Sequence, residues 1–194
     1  MGRTASIPDE ELIARLSCVF RDVGYDGATL SLLEGASGLK KASLYHRFSK
    51  GKEQMANEVL ASAQQWLEEH VLTPLQGNAP PRSRIEAMVK QLDHFYSGGR
   101  QACLLNMLSS SRIHQGPFTK NIRKMFEAWV EALSTVARDA GADPQKAQLK
   151  AERVIMLLQG SLVFSRGIGS TRPFRSFLKS IPSELIGSEG AHAS

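Results

Sequence analysis

The stretch Thr29–Lys52, TLSLLEGASGLKKASLYHRFSKGK, limits what this chain can become more than any other. Two short runs with apolar residues at helical spacing lie on either side of Gly38, so close in sequence that only a tight turn fits between them. Leu30, Leu33 and Ala36 make one apolar face, and Leu44 with Phe48 makes the other. Thr29 suits the N-cap of the first run, because its hydroxyl can accept a free helix N–H. Two short helices joined at a glycine turn form a helix-turn-helix, whose second helix is shaped to enter a DNA major groove. With Leu44 and Phe48 turned inward, Lys40, Lys41, Ser43 and Tyr45 turn outward, with His46 beside them. Ammonium, hydroxyl, phenol and imidazole groups are the donors that phosphates and base edges accept. Lys52 opens the next helix, where a cation and free backbone N–H groups can share a phosphate.

Charge supports this locally rather than globally. The chain of 194 residues carries a formal net charge of +5. From Met1 to Leu60, 8 Lys and Arg cancel 8 Asp and Glu, yet Lys40–Lys52 holds Lys40, Lys41, Arg47, Lys50 and Lys52 with no acid among them. Such a run is ordinarily a solvated helix face; inside a helix-turn-helix it becomes an electrostatic footprint for DNA.

These residues carry a resemblance. Phe20-x-x-x-Gly24-Tyr25, Thr29, Gly38-Leu39-x-x-x-Ser43-Leu44-Tyr45-x-x-Phe48 and Gly51-Lys52-Glu53 together resemble the TetR family of bacterial repressors over about residues 10 to 60. Glu34 and Ser37 stand where that family has alanines, and Leu32 where it has a polar residue. Gly51 lengthens the Phe-to-Lys spacing, as in a branch that includes repressors of multidrug efflux genes, some responsive to flavonoids. The resemblance implies phosphate contact for Tyr45, a homodimer on a palindromic double-stranded operator, and release by a small effector. Gln159-Gly160-Ser161 and Ile181-Pro182 extend the likeness loosely into the C-terminal half.

The rest of the chain also reads as helix. Pro8 with Asp9, Glu10 and Glu11 opens the first one, since acids favour the positive end of the helix dipole. Leu12, Ile13, Leu16, Val19, Phe20 and Val23 face inward, and Gly24 ends it. A long helix is expected over 50–72, stopping before Pro74, then a loop over 73–83. Helices follow over about 84–96, 101–110, 118–140, 144–166 and 171–180, with Asp143 capping the fourth of these. The 144–166 segment is apolar nearly all round, so it is expected to lie between its own core and a partner subunit. No segment alternates at strand period, so the class is all-α. The expected domains are a three-helix helix-turn-helix unit over 1–52, a helical bundle for ligand binding and dimerisation over 53–186, and a disordered tail over 187–194.

Within the bundle, Trp66, Met88, His94, Phe95, Cys103, Met107, Trp129, Gln159 and Phe164 are candidate pocket residues, weighed against ordinary core packing. Gln159 stands out because a buried amide needs partners. The expected effector is mostly apolar, with an aromatic character. Trp129, Leu133, Leu158, Gly160, Ser161 and Leu162 are candidate dimer contacts, Gly160 and Ser161 being small enough for close helix crossing. His94, Cys103 and His114 match no zinc spacing, so no metal or other cofactor is expected. No nucleophile elbow, phosphate-cradling loop or carboxylate cluster points to an enzyme. A regulator answering to a protein partner is the alternative reading. Two cysteines, Cys18 and Cys103, give no disulfide framework; with no apolar run of membrane-spanning length and no signal-like N-terminus, a cytoplasmic setting without membrane contact is expected.

Overall fold

A computed structural model describes residues 7–110 and 115–187. Every regular element among them is helical, as apolar spacing throughout the chain requires. The chain divides into two compact units, Met1–Gln64 with Leu104–Thr119, and Gln65–Cys103 with Lys120–Ser194.

The first unit begins with α1 (Asp9–Gly27), whose Leu12, Leu16 and Phe20 are buried at four-residue spacing on one face. Burying each such side chain contributes about 1.5–3 kcal/mol. Val23, expected on that face, is instead 41% exposed, at its edge and one position before the break in helical geometry at Gly24. Gly24 has φ +71°, and a Cβ there would lie 3.1 Å from the Met107 carbonyl of α7 (Leu104–Leu108). Both facts require glycine. Thr29 caps α2 (Leu30–Ser37) by accepting the Leu32 N–H at 3.3 Å. Gly38, at φ +69°, ψ +8°, makes the left-handed turn into α3 (Lys41–Arg47). The buried Ser37 hydroxyl stitches that turn, donating to the Glu34 carbonyl and accepting the Leu39 N–H, each at 3.2 Å. Leu44 and Phe48 are fully buried. α4 (Gly51–Leu67) follows, with Met55 and Val59 inward.

In the second unit the helix does not stop before Pro74 as expected. It passes through a π turn (Glu68–Leu72) into α5 (Thr73–Gln76). Proline in a regular helix clashes with the carbonyl four residues back and removes a donor; the looser π turn accommodates both. α6 (Pro81–Phe95) leads to a 3₁₀ turn (Ser97–Gly99). A Cβ on Gly99 would fall 2.8 Å from the ring of the buried Phe174, so the backbone lies directly on that ring. α8 (Thr119–Asp139) and α9 (Pro144–Gly167) pack inward through Met125, Trp129 and Leu133, and through Val154, Leu158 and Leu162. α10 (Arg172–Ile186) runs further than the expected end near 180. Pro182 removes one helix N–H, but Phe174, Phe177, Leu178, Ile181 and Leu185 keep one buried face across it. Arg84 is buried on α6, donating to the Leu75 carbonyl at 2.9 Å and to Asp139 at 2.6 Å. Among the described residues, no helix is long and apolar enough to cross a membrane.

Candidate nucleic-acid interface

α3 sorts the basic run by use. Lys40, its N-cap, and Lys41, Ser43, Tyr45 and His46 are all exposed. Their side chains have no partner among the described residues. Arg47 is different: its guanidinium reaches Asp9 on α1 at 3.2 Å and Glu58 on α4 at 2.9 Å. The bonds to Glu58 and then Asp9 raise its pKa further, so its charge serves to pin three helices together. Lys52 donates to the Tyr25 carbonyl at 2.8 Å and lies 4.5 Å from that ring's centroid. Burial, then Glu53 and Asp26, hold the Tyr25 phenol above its ordinary pKa, keeping it neutral under the cation. An ammonium has three donors, so Lys52 retains others, but its position is set by Tyr25. Thr29 caps α2 through its oxygen lone pair, which leaves its hydroxyl proton available.

The candidate effector residues separate. Trp66 and Phe95 stack at 3.9 Å between centroids, and Trp66 also stacks on His70 at 5.1 Å. Met88 is buried, as is Cys103, whose Sγ lies 3.5 Å from the Tyr96 hydroxyl. His94 is exposed, Phe164 is 60% exposed, and Met107 belongs to the other unit, beside Gly24. Helical spacing alone could not tell these apart, because it gives the face of a helix and not its neighbour. Both amide atoms of Gln159 and the indole N–H of Trp129 are buried with no hydrogen-bond partner among the described residues. Buried polar atoms without partners are rare and costly. Sequence reasoning singled out Gln159 on this ground but overlooked the donor on Trp129, and it did not anticipate Tyr96, buried at the centre of the aromatic contacts.

The candidate dimer contacts divide likewise. Trp129, Leu133, Leu158 and Leu162 are at most 2% exposed within the chain itself, leaving no surface for a partner. Gly160 is exposed and Ser161 partly so, and the apolar residues left open on α9 are Leu149, Met156, Val163 and Phe164. Among the described residues no three His, Cys, Asp or Glu side chains gather as a metal site would need. His114 lies outside the described residues.

A helix-turn-helix with unpaired donors along its second helix, joined to a second helical unit, defines a DNA-binding transcriptional regulator. Comparison with known proteins gives the family. Residues 17–59 match the profile described as bacterial regulatory proteins, tetR family. Residues 81–180 match the C-terminal domain of LmrA/YxaF-like transcriptional regulators. The chain belongs to the TetR family of bacterial transcriptional regulators; its domains are those of a regulator and not of an enzyme. It is 21% identical to the HTH-type transcriptional regulator LmrA of Bacillus subtilis (strain 168), over 91% of this chain and 95% of that protein. It is 23% identical to YxaF, an uncharacterized HTH-type transcriptional regulator of the same organism, over 89% and 92%. In fold it is similar to a TetR regulator from Legionella pneumophila, with a TM-score of 0.79 and 21% identity over 94% of this chain and all of that one. It is also similar, at a TM-score of 0.66 and 18% identity over 93% and 99%, to a cysteine mutant of the TetR family regulator CifR solved with a 26-base-pair operator.

Proposed function

We propose that this protein is a repressor that binds a palindromic operator as a homodimer and leaves it when a small, mostly apolar effector binds. The DNA half of this reading rests on the unpaired donors of α3. Lys40 and Lys41, at the helix start, are placed to reach bases, while Thr29, Ser43, Tyr45, His46 and Lys52 supply phosphate contacts. Two half-sites then lie about 34–36 Å apart or a multiple of that distance. The functional boundary between helix-turn-helix and effector domain is put near residue 52, at the start of α4 and inside the compact unit that runs to Gln64, and the protein works in the cytoplasm where the operator is.

The effector half rests on a single observation, the buried and unpartnered amide atoms of Gln159 and N–H of Trp129. An effector that accepts from the indole, and both donates to and accepts from the amide, would satisfy all three. A flat ring system bearing a carbonyl or hydroxyl has that chemistry. His94 is set aside as the polar contact because it is exposed. The homodimer reading draws on the open apolar positions of α9, where Met156, Gly160 and Val163 recur at helical spacing.

The effector acts only through its different affinity for the two states. Weakening DNA binding about 100-fold requires about 2.7 kcal/mol of coupling, and DNA must weaken the effector equally. The test is calorimetric titration of candidate aromatic compounds with and without saturating operator selected from random sequence. Reciprocal weakening is expected, and Gln159→Leu should abolish it while leaving operator binding intact. Equal affinity in both states would overturn the effector reading and favour control by a protein partner.

A further inference from the structure

The second unit carries a basic cleft that neither DNA reading nor effector binding employs. Ser170, Thr171, Arg172, Arg175, Ser176 and Lys179 line a space of about 450 Å³, contributing three cations, three hydroxyls and no carboxylate. A fourth cation approaches it. Arg175 Nη2 and Arg100 Nη1 lie 3.5 Å and 3.9 Å from the point a Cβ on Gly98 would occupy. Gly98, at φ +67°, therefore leaves the space between the two guanidiniums clear.

Several of the other described arginines already have a counter-charge. Arg15, Arg47, Arg82, Arg84, Arg138 and Arg153 each pair with a carboxylate. The side chains of Arg100, Arg172, Arg175 and Lys179 have no such partner among the described residues. The adjoining groove shares Arg175 and Lys179 and holds Lys90, Glu86 and Asp93. Glu86 there is bonded to Arg82 at 3.0 Å, and Asp93 makes no ion pair with the shared cations. Like charges collected without a counter-charge repel one another, and an anion bridging them removes that cost. Guanidinium forks bind oxyanions through paired N–H bonds, and hydroxyls donate to the oxygens that remain.

We propose that this cleft binds a small molecule carrying a phosphate or pyrophosphate group, at a site separate from the apolar effector. Several cations around one open cleft call for a ligand with two or more negative charges. A cleft of this size suits a small ligand, whereas tracking a nucleic-acid backbone takes an extended basic groove.

The experiment titrates inorganic pyrophosphate into the full chain at fixed ionic strength, followed by calorimetry. Wild type should saturate with one site per chain. Arg172→Gln and Arg175→Gln, both exposed positions whose folding is checked by circular dichroism, should each weaken binding by about tenfold, as expected for the loss of a charge-assisted bond. Lys41→Gln, on the DNA-reading helix, should leave it unchanged. Absence of saturation up to about 10 mM, well beyond the range of a specific site, would overturn the proposal. So would weakening by Lys41→Gln but not by Arg175→Gln. If Arg172→Gln and Arg175→Gln reduce affinity for random duplex DNA while wild type ignores pyrophosphate, the cleft serves nucleic acid and the proposal falls.

Discussion

Lys41 and Arg47 stand on the same short helix and do opposite work. Lys41 is exposed and unpartnered, while Arg47 is fixed between Asp9 and Glu58. Replacing Lys41 or Lys40 by alanine should therefore change what the protein reads. At least one variant is expected to lose about 1–3 kcal/mol of discrimination at one base pair. Site selection from a random pool checks this, and unaltered base preferences in both variants would refute direct reading by the lysines. Arg47→Ala should instead lower the melting temperature and leave base preference alone; its partly exposed pairs are worth about 1 kcal/mol or less each. Lys52 lies between these cases. If it also touches a phosphate, Lys52→Ala should reduce the log–log salt slope of binding by about 0.9 per subunit. If it only holds Tyr25 in place, stability falls and the slope stays.

At the scale of the element, caps and buried pairs decide where helices begin and hold. Asp143 caps α9 by accepting the Lys146 N–H at 3.0 Å, and this bond is the first cause that holds its pKa below the ordinary aspartate value. A lowered folded-state pKa means stabilisation that is present above the unfolded value and is lost as pH falls through the folded one. Asp143→Asn should keep the cap and flatten that acid dependence, while Asp143→Ala should lose the cap at every pH. Thermal melts across acidic pH distinguish the two. Asp139→Ala should be more harmful than its half-exposed position suggests. It strips the buried Arg84 of its carboxylate, with Nε already unpartnered. A loss of about 1.5–3 kcal/mol is expected in urea denaturation.

For the molecule as a whole, assembly is the property most open to a single substitution. Gly160 has nothing within 4 Å of where a Cβ would be, so a larger side chain has room within one chain. Gly160→Leu should therefore leave the subunit folded. If α9 pairs with its copy, the leucine overpacks that crossing at a cost of about 1–3 kcal/mol and shifts sedimentation towards monomer. A variant that sediments as a dimer of wild-type stability would move the interface elsewhere.

What the amino-acid order determined by itself is local. Apolar periodicity, the Thr29 and Asp143 caps and the glycine at position 38 specify helices and turns through contacts a few residues apart. They made the all-α class and the helix-turn-helix legible, together with the outward set Lys40, Lys41, Ser43, Tyr45 and His46. Tertiary structure decided what depends on distant neighbours. Whether a lysine is free or bonded turns on residues such as Tyr25, remote in sequence from Lys52. Whether an apolar residue is core or open surface separated Leu158 from Phe164 on one helix. The passage of helix through Pro74 and Pro182 followed the same rule: a π turn accommodates the first, and a shared buried face carries α10 across the second. The unpartnered atoms of Gln159 and Trp129 could be identified only once every neighbour was in place, since an unmet hydrogen bond is a property of surroundings and not of the residue.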